Sequence, residues 1–201
     1  MSTAQEPTPE EPSVEEPPVD APDKDGGLKT AKSLVIVNTG HGKGKSTAAF
    51  GTLLRAVALD WPTAVVQFLK SGDWRVGEEK VCRGLGVDWY AAGDGFTWDS
   101  TNLDESQALA AAAWAQAREL ISGGRHRLVV LDEISYAMTW AWIDTAEVVQ
   151  VIGGRPENVS VILTGRDMPQ PIVDLADTVT EMSNIKHAFD AGYVAKKGID
   201  Y

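Results

Sequence analysis

Between residues 33 and 182 the chain alternates dense apolar runs with stretches in which apolar residues return every three or four positions. SLVIVNT (33–39), TAVVQF (63–68), RLVVLDE (127–133) and VSVILTG (159–165) are rich in β-branched residues, and each predicts a buried strand. Weaker runs at 87–91 and 177–182 predict two more. Phe50, Leu53, Leu54 and Val57 recur at helical spacing, which predicts a helix over 46–59. The alanine-rich stretch 104–122 predicts a second helix that stops near Gly123 and Gly124, and TAEVVQVIG (145–153) a third that closes at glycine. Apolar strands alternating with helices imply an α/β fold, a mainly parallel sheet with helices on both faces. Ligands of such sheets collect beyond the carboxyl ends of the strands. Three polar signals follow strands: the loop at 39–46, the acids Asp132 and Glu133, and Thr164-Gly165-Arg166. They are expected to converge on one edge.

The start of the chain breaks this pattern. Residues 1–27 hold eight acids, one base (Lys24) and six prolines, a net −7 that leaves −4 of the formal −11 for the rest. Few large apolar side chains offset the entropy of ordering, so 1–30 is expected to be a disordered, acidic, proline-rich tail and 31–201 the globular domain. A body near −4 lacks the basic field that attracts nucleic acid. No apolar run is long enough for a membrane-spanning helix, and the N-terminus lacks the basic-then-apolar order of a signal peptide. The single cysteine, Cys82, excludes an internal disulfide, fits a reducing, cytoplasmic compartment and reads as a packing residue. His126 and His187 read as packing or hydrogen-bonding residues, since no His/Cys cluster supports zinc.

TGHGKGKST (39–47) is close to a phosphate-binding loop. The usual pattern has four residues between its first glycine and Gly-Lys-Ser/Thr, whereas here three separate Gly40 from Gly44 and Thr39 takes the glycine's place. A strand, a glycine loop and a helix in this order turn backbone N–H groups and a helix N-terminus toward phosphate oxygens. Lys45 would neutralise phosphate and the Ser46 hydroxyl would ligate Mg²⁺. Asp132, ending a later strand, would hold that ion directly or through water; Glu133 would ligate it too, or orient an attacking water. For Lys43 two readings stand, a second phosphate contact and a solvated side chain. His41 contributes through its backbone, with no acid–base role for the ring.

Several separated stretches together resemble the P-loop family of ATP:corrinoid adenosyltransferases: GHGKGKSTAAFG (40–51), VVQFLK (65–70), GFTWDSTN (95–102), VVLDEISY (129–136), VILTGR (161–166) and KHAFDAGYVAKKGIDY (186–201). The resemblance implies a recombinase-like P-loop NTPase fold and transfer of the 5′-deoxyadenosyl group of ATP to cobalt(I) of a reduced corrinoid. Triphosphate is released, in the biosynthesis or salvage of adenosylcobalamin. It further implies Mg²⁺ or Mn²⁺, a homodimer, a reduced flavin or flavodoxin-like donor, and a triphosphate lying in the loop opposite to its direction in ordinary ATPases. Carried over residue by residue, Thr39, Gly40, His41, Gly42, Lys43, Gly44, Lys45, Ser46 and Thr47 surround the triphosphate, and Ser46 with Glu133 holds magnesium. Arg55 and Arg166 help hold ATP. Phe96 and Trp98 match the aromatic pair that packs beneath the corrin and displaces its lower axial ligand. Lys45, Arg166 and Glu133 are the expected catalytic set. His41 replaces the more usual Asn and Ser46 the more usual Thr. Trp140 and Trp142 are read as core or interface residues, with a place at the border of the corrin pocket left open.

Two other classes remain at this point. A recombinase-like ATPase would use Glu133 to activate water, and the acidic body with no basic aromatic groove speaks against it. A non-catalytic nucleotide or corrinoid carrier would not need both Lys45 and the Asp132-Glu133 pair.

Overall fold

The computed structural model describes residues 29–69, 77–91 and 103–200. The chain divides into two units, Met1–Ala31 and Lys32–Tyr201, and the sheet with its helices belongs to the second. Nearly all of the expected tail, together with Phe96 and Trp98, lies outside the described residues.

Among the described residues, six strands form one parallel sheet: β1 (Val35–Thr39), β2 (Thr63–Gln67), β3 (Asp88–Ala91), β4 (Leu128–Asp132), β5 (Ser160–Thr164) and β6 (Thr178–Glu181), in the order β3-β2-β4-β5-β1-β6. All six predicted strands are present. Every residue of β2 and β4 is buried, while all four of the edge strand β6 are exposed. The strand period of two sorts side chains into two cores. Val35, Val37, Ala64, Val66, Val129, Leu131, Val161 and Leu163 face one layer, and Val65, Leu128, Val130 and Ile162 the other. On the second face lie α1 (Lys45–Val57), through Ala49, Phe50, Leu53 and Ala56, and α2 (Gly77–Gly84), through Cys82. On the first lie α3 (Leu103–Ser122), α4 (Ile134–Thr139), α5 (Thr145–Gly153) and α6 (Gln170–Leu175).

Helices α1, α3 and α5 follow the predicted spans to within two residues. Three short helices were not predicted. In α2, GEEKVCRG buries only Cys82, so no apolar stripe shows. The apolar start of α4 follows the acids without a polar break, and α6 is a six-residue turn begun after Pro169. Cys82 packs as expected, with burial pushing its thiol up, away from reactivity. His126 is buried against Asp88, Nε2 to Oδ2 at 2.9 Å, and His187 Nδ1 accepts from Phe189 N–H at 3.0 Å, so both histidines hydrogen-bond.

Candidate active site

The carboxyl edge of the sheet gathers the three polar signals. β1 runs into the glycine loop, β4 ends at Asp132, and β5 ends at Thr164 beside both. The loop opens α1 with Gly44 as N-cap at φ 109°, a conformation that favours glycine. No side chain caps this terminus and its first turn holds no acid. The first intrahelical bond runs from Ala48 N–H to Gly44 O at 2.8 Å, which leaves the preceding amides without helical acceptors. Helix α5, by contrast, caps itself with Asp144, which accepts from Ala146 N–H at 2.9 Å. The start of α1 is therefore left for an anion. Lys45 lies back on the loop, Nζ donating to Gly42 O at 2.7 Å, and burial lowers its pKa, helped by Arg166 and opposed by Glu133 and Asp132.

Asp132 is the knot of the site. It is almost fully buried, Thr164 Oγ1 donates to its Oδ1 at 2.8 Å, and Gln67 Nε2 to its Oδ2 at 3.2 Å. Burial pushes the carboxyl up, against hydrogen bonds from Thr164, Ser46 and Gln67 that favour its charge. Thr164 Oγ1 also accepts from Glu133 N–H at 2.9 Å, so its own proton goes to Asp132 and one threonine orients both acids. Burial and the neighbouring Asp132 raise Glu133 to about 7, against the pull of Lys45 and Arg166. Glu133 stands at φ 60° as the N-cap of α4, which turns it out of line with β4. The strand therefore ends at Asp132, one residue short of the predicted run.

Other loop residues are held from outside. His41 Nε2 lies 3.2 Å from Asp167 Oδ1, an exposed pair, so its ring has a partner the sequence did not indicate. Lys43 is ion-paired with Asp200, which neither reading of its side chain had anticipated. Thr39 Oγ1 accepts from Met168 N–H at 3.3 Å. Arg166, exposed after Gly165, acts electrostatically on Lys45, Glu133 and Tyr136. Arg55 is not brought into this group: it lies exposed in the last turn of α1, about 15 Å of helical rise beyond Lys45. Trp140 packs against Tyr136 and Trp142, with ring centroids 5.4 and 4.7 Å apart, on and just after the helix that Glu133 caps.

The sequence reading left out Gln67 and Asn38. Asn38 Nδ2 donates to Lys45 O at 3.3 Å, and its carbonyl accepts from Gly165 N–H at 3.2 Å, tying loop to β5. Both are polar residues at or near the end of an otherwise apolar buried strand, which is the signal that marks them.

Residues 31–201 match the family described as ATP:corrinoid adenosyltransferase BtuR/CobO/CobP. The chain is 42% identical over 170 residues to the corrinoid adenosyltransferase of Escherichia coli K12, covering 85% of this chain and 86% of that protein. The corrinoid adenosyltransferase CobA of Salmonella typhimurium matches at the same identity and coverage. That of a Sinorhizobium species is 43% identical over 174 residues, 85% of this chain and 81% of its own. Among solved structures, the KaiC-like protein PH0186 of Pyrococcus horikoshii OT3 overlays with a TM-score of 0.42 at 14% identity, over 78% of this chain and 75% of that one, a likeness too slight to identify a function. With a glycine loop, an acidic strand end and a family match that spans the whole sheet, the chain belongs to the ATP:corrinoid adenosyltransferases.

Proposed function

We propose that the carboxyl edge of the sheet is where this chain performs the transfer of adenosyl from ATP to a corrinoid that its family carries out. One observation carries the assignment: the uncapped N-terminus of α1 presents Lys45 and Ser46 toward the Asp132–Glu133 pair. The triphosphate of ATP lies along 39–47, where the free amides of the first turn meet its oxygens. Lys45 leaves the Gly42 carbonyl for it, and Arg166 adds a second positive charge.

The residues present fit magnesium or manganese. The Ser46 hydroxyl and the carboxylates of Glu133 and Asp132 are hard oxygen donors. Among the described residues no group of three His, Cys, Asp or Glu stands ready to hold an ion, so phosphate oxygens and water would complete its shell. Bound there, the ion supplies charge stabilisation for the departing triphosphate. Glu133, titrating near 7, would ligate after giving up its proton. Asp132, already engaged by Thr164 and Gln67, holds Ser46 in place.

In the transfer itself, cobalt(I) of the corrinoid attacks C5′ of ATP, a Co–C bond forms, and the C5′–O bond breaks with its electron pair leaving on triphosphate. No proton is moved, so the chain needs no base; its task is to align C5′ and stabilise the leaving charge. Phe96 and Trp98 belong to this proposal as the pair beneath the corrin, and Trp140 and Trp142 as its border. A homodimer, a reduced flavin or flavodoxin-like donor and a cytoplasmic setting rest on the family resemblance. Among the described residues no helix is long and apolar enough to cross a membrane.

Labelled ATP, assayed with and without reduced corrinoid, tests the assignment. Triphosphate should appear in step with a new Co–C bond in the visible spectrum, and ADP only slowly. Lys45→Ala should lose a charge-assisted contact of about 1.5–3 kcal/mol, roughly ten- to over a hundredfold in rate. Brisk ADP formation without corrinoid would overturn the transferase reading in favour of an ordinary ATPase.

A further inference from the structure

The C-terminal signature at 186–201 takes no part in the steps above, yet the chain brings it back to the phosphate loop. Leaving β6, Met182 N–H donates to Thr39 O at 2.8 Å, and Gly42 N–H donates to Met182 O at 2.6 Å. A Cβ on Gly40 would stand 2.5 Å from Met182 O, and one on Gly42 2.6 Å from Ser183 O. These two glycines thus make room for the backbone that crosses the loop. Farther on, Asp200 Oδ2 accepts from Lys196 N–H at 2.7 Å, while Oδ1 takes the ammonium of Lys43. Those contacts, the Lys43 pair first, hold the Asp200 carboxyl below the usual range. Among the described residues, apolar burial does not anchor the run from 185 to 200, since Ile185, Phe189, Tyr193, Val194 and Ile199 are all exposed. An exposed ion pair is worth only a few-fold in an equilibrium. A single carboxylate is therefore a weak competitor for Lys43 against a multiply charged triphosphate one loop position away.

We propose that Asp200 is a positioning residue for the phosphate site: it parks Lys43 beside the loop until triphosphate takes the ammonium, and the C-terminal segment is then released. This rests on the reading that 39–47 holds triphosphate. Lys43 is the residue through which the segment senses occupancy.

Inorganic triphosphate with magnesium, added to the full chain, is the probe. Its binding is measured by calorimetry, and the segment by the rate of tryptic cleavage after Lys196 and Lys197, read as the C-terminal peptide by mass spectrometry. Triphosphate should accelerate that cleavage. Asp200→Asn should cleave fast without ligand and bind triphosphate about two- to fivefold more tightly, because Lys43 is free beforehand. Lys43→Ala, which leaves the cleaved sequence intact, should also cleave fast but bind triphosphate more weakly. Asp200→Asn added to Lys43→Ala should change affinity no further. Triphosphate that binds yet leaves cleavage unchanged or slower overturns the proposal while sparing the phosphate site, as does an Asp200→Asn variant that weakens binding. Failure of the unaltered chain to bind triphosphate overturns the site assignment and this proposal with it.

Discussion

Glu133 combines a left-handed backbone at φ 60°, a place beside Asp132 and a carboxyl that titrates near 7. An acid raised from 4.5 holds its proton more tightly in the folded chain than in the unfolded one. Between about pH 4.5 and 7 the folded state therefore binds more protons, and stability without ligand should fall as pH rises through this window. Glu133→Gln should flatten that fall, which thermal melts of both proteins at pH 5, 6 and 7 would measure. On the role proposed for Glu133, magnesium with triphosphate should reverse the slope by binding the carboxylate. Parallel melting curves for variant and parent would show that another group carries the titration. Thr164 and Gln67, which orient the pair, are neutral residues whose role shows only through the carboxylate they contact.

The elements that carry these residues approach each other closely at one point. Gly165, just beyond β5, sits at φ 140°, and a Cβ there would lie 1.9 Å from Ser135 Oγ and 2.7 Å from Ser135 Cβ on α4. That contact fixes the spacing between Arg166 and the helix that Glu133 caps. Gly165→Ala should cost about 2–5 kcal/mol from backbone strain together with overpacking. Denaturant melts should register it as a lowered midpoint. Ser135→Ala in the same chain removes the nearer clash and leaves the 2.7 Å one, so it should rescue only in part. An unchanged midpoint for Gly165→Ala would mean that α4 shifts freely on the sheet. The sequence contained this glycine in its Thr-Gly-Arg run, but no local pattern gives the distance to a helix thirty residues earlier in the chain.

At the scale of the whole molecule, one core layer begins at Val35 and the other at Ile36, and both draw their strands from the alternation of one residue up, one down. Deleting residues 1–27 should accordingly leave turnover intact and the melting temperature within about 2–4 °C, the effect of roughly 1 kcal/mol in a domain of this size. A fall as large as that of a core truncation would show that the tail docks. The formal net charge of the remaining chain would be −4, so solubility should also persist.

Legible in the residues alone were the parallel α/β sheet, its strands, its three longer helices, and the positions of the glycine loop and the acidic strand end. Strand burial on both faces, helical periodicity and glycine punctuation are local properties, and they show wherever a segment packs as its own pattern demands. The three short helices were not legible because too few apolar residues repeat in six or eight positions to reveal a period. Tertiary structure decided the order β3-β2-β4-β5-β1-β6, which sets Thr164 between the loop and Asp132. It also decided that Arg55 lies exposed at the far end of α1 and that two exposed side chains of the loop, His41 and Lys43, meet Asp167 and Asp200. The partners in these pairs lie 126 and 157 positions apart in the chain, and an ion pair leaves no spacing or period in the sequence. Only the fold can bring such side chains together.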